Sequence, residues 1–224
     1  MEYVYNFDDG DDSEDHDIEV RVMQDPEGKM AAGVGSTVWD CALVMCKYLE
    51  HQRMTSSQEK ISAWNGWRPD AWKSVLELGA GTGIVGLVVA SMLPNSSVCL
   101  TDQKMVMPLL ESNVKNSAAK ASVTTQMLDW TQLSTESQQN YDLILVSDCV
   151  VWPNLFQALV DALMLYSQST TEILLCYERR DFDSEVPFFR MFGEKFFFNA
   201  VPATEFHPDW RSAEDIYLFR CRLR

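Results

Sequence analysis

Val75-Leu76-Glu77-Leu78-Gly79-Ala80-Gly81-Thr82-Gly83 is the stretch that decides the fold. A short apolar, β-capable run, Val75 to Leu78, breaks into alternating glycines, and a helix-compatible apolar run begins at Ile84. Strand, glycine turn and helix in that order are the sequence form of a nucleotide site in an open α/β sheet, with the ligand beyond the C-terminal end of the strand. Glycine suits the turn because the backbone can approach a ligand where a side chain would collide.

Two cofactor classes compete for this turn. Gly81, Gly83 and Gly86 satisfy the dinucleotide spacing G-x-G-x-x-G. Glu77 argues against a dinucleotide, because a carboxylate at the mouth of the strand repels a pyrophosphate, at a cost that grows as water is excluded. S-adenosylmethionine carries an ammonium and a sulfonium, which the same carboxylate attracts. The methyl donor is the expected cofactor.

The rest of the chain extends the same pattern. Ser97 to Thr101 predicts a second strand ending in Asp102, 19 residues beyond Gly83, where a carboxylate accepts both ribose hydroxyls. Ser122 to Leu128 predicts a third strand, followed by Asp129-Trp130. An indole there can stack on a purine face while the carboxylate takes the exocyclic amine; a turn aspartate and a core tryptophan are the alternative. Tyr141 to Ser147 is a continuous apolar strand, as a central parallel strand should be, and it ends in Asp148-Cys149-Val150-Val151-Trp152-Pro153. Glu172 to Tyr177 is a fifth strand ending in Glu178-Arg179-Arg180. Helices are expected over Ile84–Met92, Met105–Ala118 and Leu155–Tyr166, a helix running into a strand over Phe188–Phe198, and a last strand over Asp215–Arg222. Five β-α units and a closing hairpin make an α/β, Rossmann-like, doubly wound sheet, mostly parallel with an antiparallel edge.

Ahead of the glycine strand, Ser36 or Thr37 can cap a helix whose apolar stripe is Val38, Ala42, Met45 and Leu49, with Trp39 in its first turn. Core packing is the default for that tryptophan; reaching the cofactor is the other reading. Gln52 to Pro69 is polar and reads as a loop or ragged helix end.

Composition narrows the setting. A chain of 224 residues holds one sizeable α/β core, here expected over 21–224. Residues 1–20 contain nine acids and no Lys or Arg, and read as an acidic tail, disordered over Asp8 to Glu19, that buries nothing and is either inert or a docking arm for a basic partner; a short strand is expected to begin over Ile18 to Met23. The net charge of −15 disfavours nucleic acid, which needs clustered Lys and Arg. Six cysteines without a C-x-x-C pair suggest reduced thiols and the cytoplasm or nucleus. His16, His51 and His207 lie too far apart in sequence to suggest zinc. The acidic N-terminus is unlike a secretory signal, and the longest apolar run, about Ile84 to Leu93, is too short to span a bilayer, so no membrane is expected.

With these residues laid out, the chain resembles the seven-strand, S-adenosylmethionine-dependent protein lysine methyltransferases of the methyltransferase-16 family, in particular the subgroup that modifies chaperones, valosin-containing ATPases and elongation factors. The resemblance covers roughly residues 33–222. It rests on Val38-Trp39-Asp40, Glu77 to Gly83, Asp102, Asn113, Leu128-Asp129-Trp130, Ser147-Asp148 and Tyr177 to Arg180. It implies a cofactor site lined by Trp39, Glu77, Gly79, Gly81, Gly83, Asp102, Asp129, Trp130 and Ser147, with Asp148 facing the substrate amine. In the family's motif the acid is followed, after two intervening residues, by Tyr or Phe; here Val151 stands in that place and the aromatic comes one later, at Trp152. Trp152 is expected to wall the acceptor channel; packing on Phe156 is the alternative. The implied activity is methyl transfer to a lysine of a protein substrate, such as a chaperone, ATPase or translation factor, by a monomer. A small-molecule or protein-arginine methyltransferase, and a cofactor-binding module without turnover, are the rivals on the same fold.

Overall fold

The computed structural model describes residues 1–7, 19–27, 32–56, 72–119, 121–134 and 139–224. Its strands are β1 (Glu2–Asn6), β2 (Glu19–Met23), β3 (Ser74–Leu78), β4 (Ser97–Asp102), β5 (Ser122–Met127), β6 (Leu143–Ser147), β7 (Glu172–Glu178), β8 (Phe196–Ala200) and β9 (Ile216–Leu223). The helices are α1 (Asp40–Ser56), α2 (Ile84–Met92), α3 (Met107–Asn116), α4 (Phe156–Tyr166) and α5 (Phe182–Lys195). Seven strands form one sheet in the order β5-β4-β3-β6-β7-β9-β8. Pairing is parallel from β5 to β7 and antiparallel at β9 and β8, so the expected α/β sheet with an antiparallel edge hairpin is the observed one.

Strand-by-strand alternation distributes the core. Val75, Leu145 and Leu174 pack with buried residues of α1 and α2, whereas Leu76, Leu78, Ile144, Val146 and Leu175 pack with those of α4 and α5. Burial on both faces is why these strands read as continuous apolar runs rather than alternating ones. The chain leaves β3 for β4 on one side and later returns with β6 on the other. The crevice above that reversal, at the C-terminal strand ends, is where open α/β sheets take ligands.

Helix α1 begins later than expected. Neither Ser36 nor Thr37 caps it; Ser36 is buried in a short 3-10 turn, Gly33–Ser36, and its Oγ donates to the carbonyls of Asp25 and Gly33. The Trp39 carbonyl accepts from Ala42 and Leu43, so Trp39 stands just outside the helix. Helix α5 begins earlier, at Phe182, where Glu185 Oε1 accepts from the Arg180 and Asp181 N–H groups. The expected loop's Trp64 and Trp67 lie outside the described residues.

The two ends of the expected acidic tail are strands. β1 pairs antiparallel with β2, and Tyr5 is 3% exposed, its hydroxyl donating to Glu50 on α1. Residues 8–18 between them lie outside the described residues. On the far side, Asn113 of α3 accepts from the Met23 N–H and donates to the carbonyls of Met23 and Thr82, tying the hairpin to the glycine turn. Tyr5→Ala is therefore expected to cost about 3 kcal/mol, lowering Tm by roughly 6–12 °C in a domain of this size. An unchanged melting curve would show that the hairpin contributes nothing to the core.

Candidate active site

The glycine turn caps the crevice. Gly79, Gly81 and Gly83 all have positive φ, of 66°, 56° and 81°. Two positions need glycine for a second reason. A Cβ on Gly79 would lie 2.6 Å from Cys149 Sγ, and one on Gly81 would lie 3.0 Å from the Gly35 carbonyl oxygen. The turn is held by Asp102: its Oδ2 accepts from the Gly81 N–H at 2.8 Å and its Oδ1 from the Gln103 N–H at 2.7 Å. Burial raises the proton affinity of the Asp102 carboxyl, and these two N–H groups oppose it.

Glu77 does not lie open at the strand mouth. It is 1% exposed, and its Oε2 accepts from the Gly86 N–H, in the first turn of α2, at 2.8 Å. A Cβ on Gly86 would lie 2.6 Å from that oxygen, so glycine there lets the carboxylate sit against the helix. The first turn of a helix after such a glycine loop is where a dinucleotide's pyrophosphate binds. Here a protein carboxylate already uses that donor. Burial pushes the Glu77 carboxyl up to about 8, with the Asp102 charge adding to the effect and the Gly86 N–H working against it. A cationic ligand group would relieve that penalty and a phosphate would deepen it.

The residues singled out in the sequence meet around one cavity. Trp39, Glu77, Gly79, Gly81, Asp102, Asp129, Trp130, Ser147, Asp148 and Trp152 all line it. Its space is about 1030 Å³, counting the part open to solvent. Gly83 stands behind the lining, with its would-be Cβ against Leu110 and Leu100. Trp130 lies over Gly79, its ring 3.4 Å from that glycine's would-be Cβ. Asp129 caps a short 3-10 turn: Oδ1 accepts from Thr131 N and Oγ1, and Oδ2 from Gln132 Nε2, which holds its carboxyl below the usual range. Three of its roughly four lone-pair positions are thus used. Trp39 is partly exposed, and its Nε1 donates to the Val34 carbonyl. Trp152 is 41% exposed on the cavity, while Phe156 is buried with its ring against Phe188. Val151 is half-buried.

This donor set fits S-adenosylmethionine. A buried carboxylate near the end of β3 and a half-buried one at the end of β4 suit a cationic group and a diol, and exposed indoles suit a purine or an alkyl chain. Two buried polar atoms, Trp130 Nε1 and Ser147 Oγ, have no hydrogen-bond partner among the described residues, and both belong to cavity-lining residues. Buried polar groups left unmet in this way call for a ligand or an ordered water. No group of three or more metal-ligating side chains occurs among the described residues, and no helix of theirs is long and apolar enough to cross a membrane.

Comparison with known proteins agrees with this geometry. The lysine methyltransferase family matches residues 17–195, most of the chain. The chain belongs to the lysine methyltransferase family. It is 32% identical over 212 residues to protein N-lysine methyltransferase METTL21A of Xenopus tropicalis, covering 93% of this chain and 85% of that one. It is 30% identical over 159 residues to EEF1A lysine methyltransferase 3 of the same species, covering 70% and 64%. Among solved structures, the glycopeptide N-methyltransferase MtfA complexed with sinefungin superposes with a TM-score of 0.55 at 11% identity, over 80% of this chain and 94% of that one, which shows the shared fold. As a lysine methyltransferase, the chain is an S-adenosylmethionine-dependent enzyme with a Rossmann-like sheet, as its sequence suggested.

Parts of this lysine methyltransferase's site were not singled out in advance. The turn Gly33–Ser36 places Gly35 directly on the glycine loop, its would-be Cβ 2.8 Å from Val106 and 3.8 Å from Gly81 Cα. The spaced pair Gly33 and Gly35 was the available signal. Cys149 is buried beneath Gly79, where burial pushes its thiol well up and Asp102 and Asp148 reinforce the shift. Asp148 was expected to face an amine; its carboxylate is bound by Arg180, through Nη1 to Oδ1 at 2.8 Å and Nη2 to Oδ2 at 2.7 Å.

Proposed function

We propose that the cavity seats S-adenosylmethionine with its charged end toward Glu77 and the glycine turn, its ribose on Asp102 and its adenine between Trp130 and Asp129, and that a lysine ε-amine of a protein partner enters beside Asp148 and Trp152. The observation that carries this reading is Glu77, a buried carboxylate of β3 that accepts from the first turn of α2 and lines the same cavity as Asp102. Trp39 and Ser147 complete the lining. The cofactor, when bound, supplies an already activated methyl group, so the protein's task is alignment and exclusion of water.

The acceptor reading draws on the relatives, which are named for protein lysines and, in one case, for EEF1A. Trp152 offers an apolar wall for a four-carbon lysine stem in the place that Val151 leaves short. A chaperone, ATPase or translation factor is the kind of substrate we propose, met by a monomer in the cytoplasm or nucleus without nucleic acid or membrane. Six free cysteines support a reducing compartment, and a net charge of −15 supports a basic partner face. Incubating the protein with labelled S-adenosylmethionine and cell lysate should label one or a few protein bands. Label confined to small molecules would place the chain with the small-molecule enzymes instead.

Glu77 makes the cofactor step pH-dependent. Its carboxyl is raised from 4.5 to about 8, so between those values the ligand-free protein holds a proton that the unfolded chain has lost. This contribution to stability is present below the unfolded value and fades as pH rises through about 8. A cationic ligand end favours the ionised form, so binding at pH 7 should expel close to one proton. Affinity should climb by up to about tenfold per pH unit toward that value and level off above it. Calorimetry in buffers of different ionisation enthalpy reads the proton release, and Glu77→Gln should abolish this component. Equal proton release by both proteins would remove Glu77 from the cationic seat.

A further inference from the structure

The Asp148 carboxylate at the cavity mouth is not free. Asp148 directly follows β6 with φ of 55°, and its N–H is pinned to the Cys176 carbonyl of β7. Its side chain is 6% exposed, while that of Arg180, the forked partner of both its oxygens, is 37% exposed. Two parallel N–H···O bonds of this kind set the plane of the carboxylate as well as its place. Arg180 is itself held from behind: Nη2 donates to Glu178 Oε2 at 2.9 Å, Nη1 to the Glu178 carbonyl at 3.3 Å, and the backbone N–H to Glu185 Oε1 on α5 at 2.9 Å. Arg179 beside it turns away to Asp215. From α1 the neighbour is Cys41, whose thiol is driven up by its contact with Cys176 of β7 and by burial, and beneath lies the Cys149 thiol. Among the described residues, the charges at this corner are therefore Asp148, Glu178 and Glu185, with the Arg180 guanidinium among them.

That guanidinium bears on the proton of the acceptor. A lysine side chain arrives as an ammonium, with an ordinary value near about 10.4, and only the neutral amine can attack. A bare, sheltered carboxylate would hold the proton on the nitrogen; a carboxylate shared with a guanidinium does so far less, and the guanidinium itself disfavours a second cation. We infer that Arg180 is a positioning residue for methyl transfer: it aims Asp148 at the acceptor seat and cancels the negative charge that would keep the incoming amine protonated. This rests on the lysine-acceptor reading above. In the step it serves, the ammonium first gives its proton to water. The amine lone pair then forms the N–C bond as the C–S bond breaks, and that bonding pair leaves with sulfur, so the positive charge ends on a methylammonium.

The test compares wild type with R180K, R180Q and the double variant D148N/R180Q. Initial rates from labelled S-adenosylmethionine into lysine of the most strongly labelled lysate protein are followed from about pH 6.5 to 10, alongside melting curves and calorimetric cofactor affinity. Loss of one nearby positive charge should move the acid limb of the R180Q rate profile up by about one unit. Its rate should fall about tenfold at pH 7.5 and recover to within about threefold at pH 10. R180K, which keeps the charge but not the fork, should show the wild-type limb at reduced rate. D148N/R180Q, which removes both charges, should bring the limb back. Cofactor affinity should stay within about threefold throughout. A uniform loss in R180Q with no movement of the limb, or a limb that moves in R180K, overturns the inference. If R180Q does not fold, R180M, which also removes the charge, takes its place with the same expected movement of the limb. Lysine labelling by wild type with an unmoved R180Q limb sinks only this inference, whereas no lysine labelling by wild type sinks the acceptor reading with it.

Discussion

Asp102→Ala should weaken S-adenosylmethionine binding by about a hundredfold or more. A carboxylate that accepts two ribose hydroxyls contributes two charge-assisted hydrogen bonds, each worth about 1.5–3 kcal/mol. The structure adds a second loss, because the same carboxylate holds the Gly81 N–H and thereby the left-handed turn at Gly81. Without it the loop must be ordered by the ligand, at the ligand's expense. Asp102→Asn keeps the shape and one acceptor oxygen, so it should lose less affinity than the alanine variant. Titration calorimetry measures both. Wild-type affinity in Asp102→Ala would mean that the ribose lies elsewhere.

The second large effect is at the acceptor seat. Asp148→Asn should lower turnover about a hundredfold, the scale on which a positioned polar group acts in a transfer step. Asparagine tolerates the left-handed backbone that Asp148 adopts, so the loss is chemical rather than conformational. Trp152→Ala should lower turnover about tenfold and raise the acceptor KM, because an exposed indole on the cavity is replaced by a gap. Both variants should bind cofactor within about threefold of wild type. Normal turnover by Trp152→Ala would return Trp152 to a purely structural role, and improved turnover by Val151→Tyr would show that the natural channel wall is incomplete.

The parts of the site legible in the sequence are those that a few consecutive residues specify. Glu77 to Gly83 with Ile84 encode a strand end, a left-handed turn and a helix start within one short stretch, and Asp102 follows from the length of one helix and one strand. Trp130 was legible because it follows a strand directly. What was hidden depends on chain segments meeting in space. Arg180 and Asp148 are separated by 32 residues and meet because β6 and β7 end side by side. Gly35 reaches Gly81 through a turn whose only local mark is a pair of glycines. Tyr5 was hidden by the acids that follow it, since charge density argued for disorder where one buried ring and one carboxylate on α1 anchor a strand. Helix α5 starts at Phe182, ahead of the aromatic run over Phe188–Phe198 from which it was legible, and holds Pro187 within it.

This chain moves a methyl group from S-adenosylmethionine to a lysine ε-amine in a protein. Peptide mapping by mass spectrometry of the protein it labels in a lysate tests that most directly, with the Asp102→Ala variant as the control. One or more added methyl groups are expected on lysine, absent from the control digest. Methyl groups on arginine, on a carboxylate or on no protein residue at all would contradict it.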